Sequence, residues 1–180
     1  MILATDRLLL REFVEDDWRA VLEYQSDARY LEYSPWTYRT AEEVRGFVRG
    51  FVQWREERPR TNYQLAITLP AEGRLIGNCG IRMETAGSRQ ANIGYEIAPS
   101  YWGEGYATEA ARAIVGFGFG DLRLHRIWAC CIAENAASYR VLEKIGMRRE
   151  RRLREEEWIK GRRWDTLVYA ILDHEWRSRA

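Results

Sequence analysis

The sequence predicts a single α/β domain spanning residues 1–180, and three observations carry that expectation. Apolar runs of period two alternate along the chain with runs of helical period. The stretch 92–109, NIGYEIAPSYWGEGYATE, leads an apolar strand through a glycine-rich turn into a helix. A length of 180 residues with 46% hydrophobic content fits one domain of the usual roughly 100–200 residues and can close a substantial core. No internal repeat or low-complexity linker divides it.

The first strand pattern covers residues 7–13. Residues 15–25 and 40–58 follow as helices, the second opened by a capping box between Thr40 and Glu43. Three strands come next, at 63–69, 75–82 and 92–97, with turns at 70–73 and 85–88. The helix after the glycine turn collects Ala107, Ala110, Ala111, Ile114 and Val115 on its buried face, and Gly118 or Gly120 ends it. Residues 126–132, rich in apolar and β-branched side chains, make the fifth strand. A helix over 136–145 is capped by Asn135 and stopped by Gly146. Two last strands, 147–158 and 164–172, flank a Lys160-Gly161 turn.

The glycine turn is built to meet an anion. A helix start leaves several backbone N–H groups unpaired and carries partial positive charge, so a phosphate there gains hydrogen bonds and a favourable dipole. Gly103 and Gly105 keep side chains out of the way, and Pro99 ends the preceding strand by removing a donor. A Rossmann dinucleotide site would need Gly-x-Gly-x-x-Gly after a first strand and an acidic residue about twenty positions on. Position 108 is Thr, the next strand carries no acidic residue, and the turn lies in mid-chain.

This segment resembles motif A of the GNAT acyl-CoA N-acetyltransferase superfamily, a bulged strand followed by Gln/Arg-x-x-Gly-x-Gly/Ala and a helix. Gly105 and Ala107 fall on the last two positions, while Trp102 stands where the general pattern has Gln or Arg. Tyr101 to Ala110 match the wording of the ribosomal-protein N-acetyltransferase branch (RimJ/RimL-like), Tyr-Trp-Gly-x-Gly-Tyr-Ala-Thr-Glu-Ala. Asn135-x-x-Ser138 with Leu142-Glu143-Lys144-Ile145-Gly146-Met147 resembles motif B. The resemblance covers nearly the whole chain. It implies a central mixed, mostly antiparallel sheet, flanked by helices and splayed between the fourth and fifth strands, 92–97 and 126–132. It also implies acetyl-CoA as cosubstrate, held by Ile97, Ala98, Trp102, Gly103, Glu104, Gly105, Tyr106, Ala107, Asn135 and Ser138, with no metal.

An acetyl thioester is already activated, and its leaving thiolate resembles a free thiol of pKa about 8.5. The harder requirement is a neutral amine. A lysine amine titrates near 10.4 and an N-terminal amine about 7.7–8.0, so the second is closer to reactive at neutral pH. The site must hold that amine beside the carbonyl, accept its proton and polarise the carbonyl with a backbone N–H; in the family the bulged strand does the last. Glu96, the one carboxylate in that strand, is the candidate base, although period two points it away from the side of Ile97. Ser138 is the candidate hydrogen-bond donor to the departing sulfur. The superfamily's frequent general-acid Tyr, seven positions after the motif B Asn, is Leu142 here. The aromatic cluster Tyr30, Tyr33, Trp36 and Tyr38 sits in the loop before the second helix, where the resemblance implies an acceptor pocket lined by Tyr33, Trp36 and Tyr38, alongside a plainer role in pinning that loop.

The remaining features exclude other classes. A formal net charge of +1 offers no concentrated positive face for nucleic acid, and the Arg-rich run 148–154 reads as a solvated strand followed by Glu155 to Glu157. No apolar run approaches the eighteen or so residues of a spanning helix, so no membrane partner is expected. The N-terminus passes straight into a strand pattern without the parts of a signal peptide, which predicts a cytoplasmic protein. Cys79, Cys130 and Cys131 lack metal-ligand spacing and read as buried small hydrophobes. His125 and His174 are isolated. The expected reaction is therefore acetyl transfer from acetyl-CoA to a primary amine in a ternary complex, by a monomer or homodimer. The acceptor is the N-terminus of a protein or, alternatively, a small molecule such as an antibiotic, polyamine or amino acid. A CoA-binding sensor without turnover is the non-enzymatic reading.

Overall fold

Eight strands form one sheet in the computed structural model, which describes residues 1–178. Across the sheet the order is β1 (Ile2–Ala4), β2 (Leu9–Glu12), β3 (Asn62–Leu69), β4 (Arg74–Arg82), β5 (Gln90–Ile97), β6 (Arg126–Ile132), β8 (Arg162–Leu172) and β7 (Arg148–Ile159). Only β5 and β6 pair in parallel; the other neighbours are antiparallel. A parallel pair requires a long crossover, here supplied by α4 (Tyr106–Gly120). The other helices are α1 (Trp18–Gln25), α2 (Ala28–Leu31), α3 (Ala41–Trp54), α5 (Ala136–Lys144) and α6 (Asp173–Arg177).

The sheet buries apolar side chains on both faces, because alternate strand residues point to opposite sides. On one face Ile81, Ile127 and Tyr169 pack with Ala110 and Ile114 of α4 and Leu142 of α5. On the other, Phe13, Ala66 and Leu75 pack with Val21 of α1 and Val44, Val48 and Phe51 of α3. The pairing that opens a cleft in the sheet is the short one. β5 and β6 are in register only over Gln90 to Asn92 and Arg126 to Trp128. Beyond Asn92 the two strands separate, so the sheet splays where the fourth and fifth predicted strands meet.

Most local expectations hold. Thr40 Oγ1 accepts from Glu43 N at 3.3 Å while Glu43 Oε2 accepts from Thr40 N at 2.8 Å, a complete capping box. Lys160 and Gly161 both have positive φ, 51° and 76°, as a tight hairpin turn demands.

The differences have physical causes. The N-terminal residues make an additional strand, β1, through pairing with β2 rather than through a long pattern of their own. The first helix begins as a 3₁₀ turn over Glu15–Asp17. The helix expected to reach residue 58 stops at Trp54, ahead of Pro59, whose ring disfavours helical backbone in the residue before it. Two short helices, α2 and α6, carry too few turns to show a period. No bulge interrupts β5, whose register with β4 runs unshifted from Asn92 to Ile97. Cys79 and Cys131 are buried as expected, but Cys130 is exposed, because alternation turns it to the face opposite Cys131.

Candidate active site

The glycine turn becomes the start of α4. Gly105 is its N-cap with φ 83°, ψ 1°, a left-handed conformation that glycine adopts without penalty. The first bond into the helix runs from Glu109 N to Gly105 O at 3.1 Å. The amides of Gly105, Tyr106, Ala107 and Thr108 therefore have no partner among the described residues, and Gly105, Tyr106, Ala107 and Thr108 line a cavity of about 740 Å³. That is a fit for a phosphate group on structural grounds alone.

Two clamps hold this loop. Arg7, from the turn between β1 and β2, donates from its guanidinium to Glu104 O at 3.0 Å and to Glu109 Oε2 at 2.8 Å, and stacks 4.5 Å over the Tyr106 ring. Glu109 Oε1 also accepts from Thr5 Oγ1 at 2.6 Å and Arg7 N at 2.9 Å. Burial pushes the Glu109 carboxyl up, but these donors outweigh it and hold the group below its ordinary value. The second clamp is Trp102. Its indole N–H donates to Ile97 O at 2.7 Å, which accounts for a Trp where the general motif has Gln or Arg: the side chain ties the loop to the strand end.

The cavity continues into the cleft between β5 and β6. Ala98 N donates to Ile76 O at 2.8 Å, so the even-numbered residues of β5 bond to β4. By the alternation of an antiparallel ladder, the amides of Ile93, Tyr95 and Ile97 turn to the opposite edge, where β6 has already diverged. This free edge replaces the expected bulge as the source of cleft-facing N–H groups. Across the cleft, Asn135 caps α5 through Oδ1, which accepts from Ser138 N at 3.0 Å. The Tyr95 hydroxyl donates to Ser138 O at 2.7 Å and lies 3.2 Å from Ser138 Oγ. Burial pushes the Tyr95 phenol above its ordinary value, so it stays protonated at neutral pH. Nearby, burial pushes the Cys131 thiol up to about 11, which keeps it a neutral wall.

Glu96 faces the other side of β5 and still reaches the cavity. Three donors converge on its Oε2: Tyr24 Oη at 2.9 Å, Gln25 Nε2 at 3.1 Å and Asn78 Nδ2 at 2.9 Å. Oε1 accepts no hydrogen bond from the described residues, and the Tyr30 phenol stands close enough to the carboxylate to interact with it. Burial and then the Glu96 charge push the Tyr30 phenol far above its ordinary value. Tyr30, Tyr33 and Trp36 line this end of the cavity with Glu96. The loop is also pinned: Arg39 stacks 4.1 Å over Trp36, Tyr33 meets Trp164 edge-on at 5.8 Å, and Lys160 Nζ donates to Leu31 O.

The structure brings together Glu96, Ile97, Trp102, Gly103, Gly105, Tyr106, Ala107, Asn135, Ser138, Tyr33 and Trp36 around one cavity, and it separates three expected residues from it. Tyr38 is 72% exposed and lies outside the lining, since the loop turns outward before α3. Ala98 is buried in the core beneath α3 with its amide already bonded to Ile76. Glu104 is exposed and contributes only its carbonyl, to Arg7. Sequence reasoning missed Tyr95, whose position two before Ile97 placed it on the same side, and Arg140 and Lys144, an i,i+4 pair on α5 that lines the cavity. Arg7 carries no local signal at all. Among the described residues, no group of three or more His, Cys, Asp or Glu side chains could hold a metal, and no helix is long and apolar enough to cross a membrane.

A split sheet whose free edge meets an unpaired helix start, with a carboxylate lining the same cavity, suits an anionic thioester and an acceptor beside it. Residues 7–148 match the family model described as "Acetyltransferase (GNAT) domain", and the chain belongs to that family of N-acetyltransferases. It is 39% identical to the uncharacterized N-acetyltransferase YnaD of Bacillus subtilis, over 98% of this chain and 99% of that one. RimJ of Mycobacterium smegmatis, solved in complex with a CoA disulfide, superposes with a TM-score of 0.78 at 27% identity, covering 96% of this chain and 88% of that one. Over 49% of this chain and 47% of its own, the spermidine N(1)-acetyltransferase of Escherichia coli is 30% identical.

Proposed function

We propose that this enzyme transfers the acetyl group of acetyl-CoA to the N-terminal amine of a peptide or protein. The observation that carries the cosubstrate is the set of unpaired amides at the start of α4, which suits a pyrophosphate. Arg140 and Lys144 add positive charge to the same wall. The pantetheine arm then follows the free edge of β5 toward Ser138, with Asn135 beside it, and an amide of that edge polarises the thioester carbonyl.

The amine approaches from the end lined by Tyr30, Tyr33, Trp36 and Glu96. As the new C–N bond forms and the C–S bond breaks, the amine proton passes to Glu96 Oε1, directly or through water. The thiolate leaves hydrogen-bonded to Ser138 Oγ, on a residue that Tyr95 holds in place through its backbone oxygen. With Leu142 buried at the position of the superfamily's tyrosine, this pair does the work that a general-acid tyrosine does elsewhere.

An α-amine needs only modest help to lose its proton at neutral pH, whereas a lysine amine needs far more. RimJ-like wording at Tyr101 to Ala110 supports the same acceptor. The likeness to a spermidine acetyltransferase supports the small-molecule alternative over half the chain. Thiol release measured with free and N-blocked, lysine-bearing peptides of one sequence tests the reading, and faster turnover of the free N-terminus is expected. Equal rates, or rapid turnover of spermidine with none on peptides, overturn the acceptor. No CoA release with any amine would leave only a CoA-binding sensor.

A further inference from the structure

Away from the cavity, Glu96 ends a chain of side-chain hydrogen bonds that crosses three strands. Arg82 donates from Nη2 to Gln64 Oε1 at 2.5 Å, Gln64 Nε2 donates to Asn78 Oδ1 at 2.6 Å, and Asn78 Nδ2 donates to Glu96 Oε2 at 2.9 Å and to Tyr24 Oη at 2.8 Å. The register makes this possible: Gln64 pairs with Gly80, Asn78 with Glu96 and Arg82 with Asn92, all on one face. Glycine clears the track. A Cβ on Gly80 would stand 2.2 Å from Gln64 Oε1, and one on Gly94 would touch Arg82 Nη1 at 3.4 Å.

The chain has a direction. A guanidinium only donates and a carboxylate only accepts, while each carboxamide between them donates at one end and accepts at the other. Arg82 therefore fixes the oxygen end of Gln64, which fixes the oxygen end of Asn78, which turns the Asn78 amide nitrogen toward Glu96. Gln64 and Asn78 are 1% and 2% exposed, so water cannot substitute for a lost partner. Without Arg82, Gln64 Oε1 loses its donor, Gln64 can swing away from Asn78 Oδ1, and the Asn78 amide that donates to Glu96 is held at one end only.

We propose that Arg82 is a positioning residue for acetyl transfer, acting through Gln64 and Asn78 to hold Glu96 by Oε2 with Oε1 toward the amine. This rests on the reading of Glu96 as the proton acceptor. A double-mutant cycle on the full chain tests it, measuring kcat and both KM values by thiol release with saturating acetyl-CoA. Arg82→Met is expected to lower kcat about tenfold, within the coupling seen between contacting residues, with the acetyl-CoA KM unchanged. Arg82→Lys, which keeps a donor, should retain most of kcat. Gln64→Leu cuts the chain without touching the charge, should match Arg82→Met, and carries the test if that variant does not fold. In a Glu96→Gln background the Arg82→Met loss should vanish. The same loss in that background, or full kcat in both Arg82→Met and Gln64→Leu, overturns the positioning role alone. Full kcat in Glu96→Gln by itself overturns the proton-acceptor reading beneath it.

Discussion

Gly105 is the residue on which the proposed cosubstrate binding turns, and its substitution separates two causes. At φ 83° and ψ 1° any L-residue other than one tolerant of the left-handed region costs about 1–2 kcal/mol. Space is not the obstacle, because the nearest neighbour of a new Cβ is the Arg7 guanidinium at 3.5 Å, an ordinary contact. If that strain shifts the loop out of its binding geometry, the apparent affinity falls by the competent fraction, roughly 5–30-fold for 1–2 kcal/mol. Asparagine populates the left-handed region more readily than other side chains. Calorimetric titration with CoA should therefore rank wild type first, then Gly105→Asn, Gly105→Ala and Gly105→Val. If Asn binds more weakly than Ala, side-chain bulk at the anion is the cause and the backbone argument fails. Four equal affinities, with the fold intact by circular dichroism, would remove the helix start as the phosphate site.

Other consequences follow from the same geometry. Ser138→Ala should lower kcat more than it changes acetyl-CoA affinity, because a hydrogen bond to sulfur strengthens as thiolate charge develops; Asn135→Ala should do the reverse, and unchanged kcat in Ser138→Ala where chemistry limits the rate would refute the assignment. Glu109, held below its ordinary carboxyl value, contributes stability that is complete above the unfolded glutamate pKa near 4.3 and is lost as pH falls through its lower folded value. Glu109→Gln should thus be less stable than wild type at neutral pH and approach it in strong acid, and parallel melting-temperature curves across that range would contradict the linkage. Gly80→Ala would place a Cβ 2.7 Å from the Tyr63 carbonyl as well as against Gln64. A backbone atom cannot swing aside, so a loss of about 1–3 kcal/mol is expected in denaturant titration, and an unchanged midpoint would show that the strands yield.

The amino-acid order alone determined whatever depends on neighbours within a few residues. Apolar period placed the strands at 63–69, 75–82 and 92–97 and the helix after the glycine turn. Thr40 with Glu43, and Asn135 with Ser138, marked helix starts because a cap bonds only two or three residues ahead. Gly103 and Gly105 signalled a backbone that a side chain would hinder. Together these were enough for the fold class, and the resemblance carried by residues 101–110 and 135–147 gave the family.

Tertiary structure alone decided the rest, because it joins segments whose separation leaves no periodic trace. Pairing of β5 with β6 over three residues, and no further, opens the cleft, and the extent of such a pairing leaves no mark on either strand's own pattern. Arg7 reaches Glu104 across 97 positions and Tyr95 reaches Ser138 across 43. Tyr38 and Trp36 look alike in the sequence, yet one turn of the loop sends the first to solvent and the second to the cavity. Glu96 shows the division most clearly: period two turned its side chain away from Ile97, but only the register of three strands could say that Asn78, Gln64 and Arg82 stand behind it, since alignment of distant strands is set by pairing and not by local propensity.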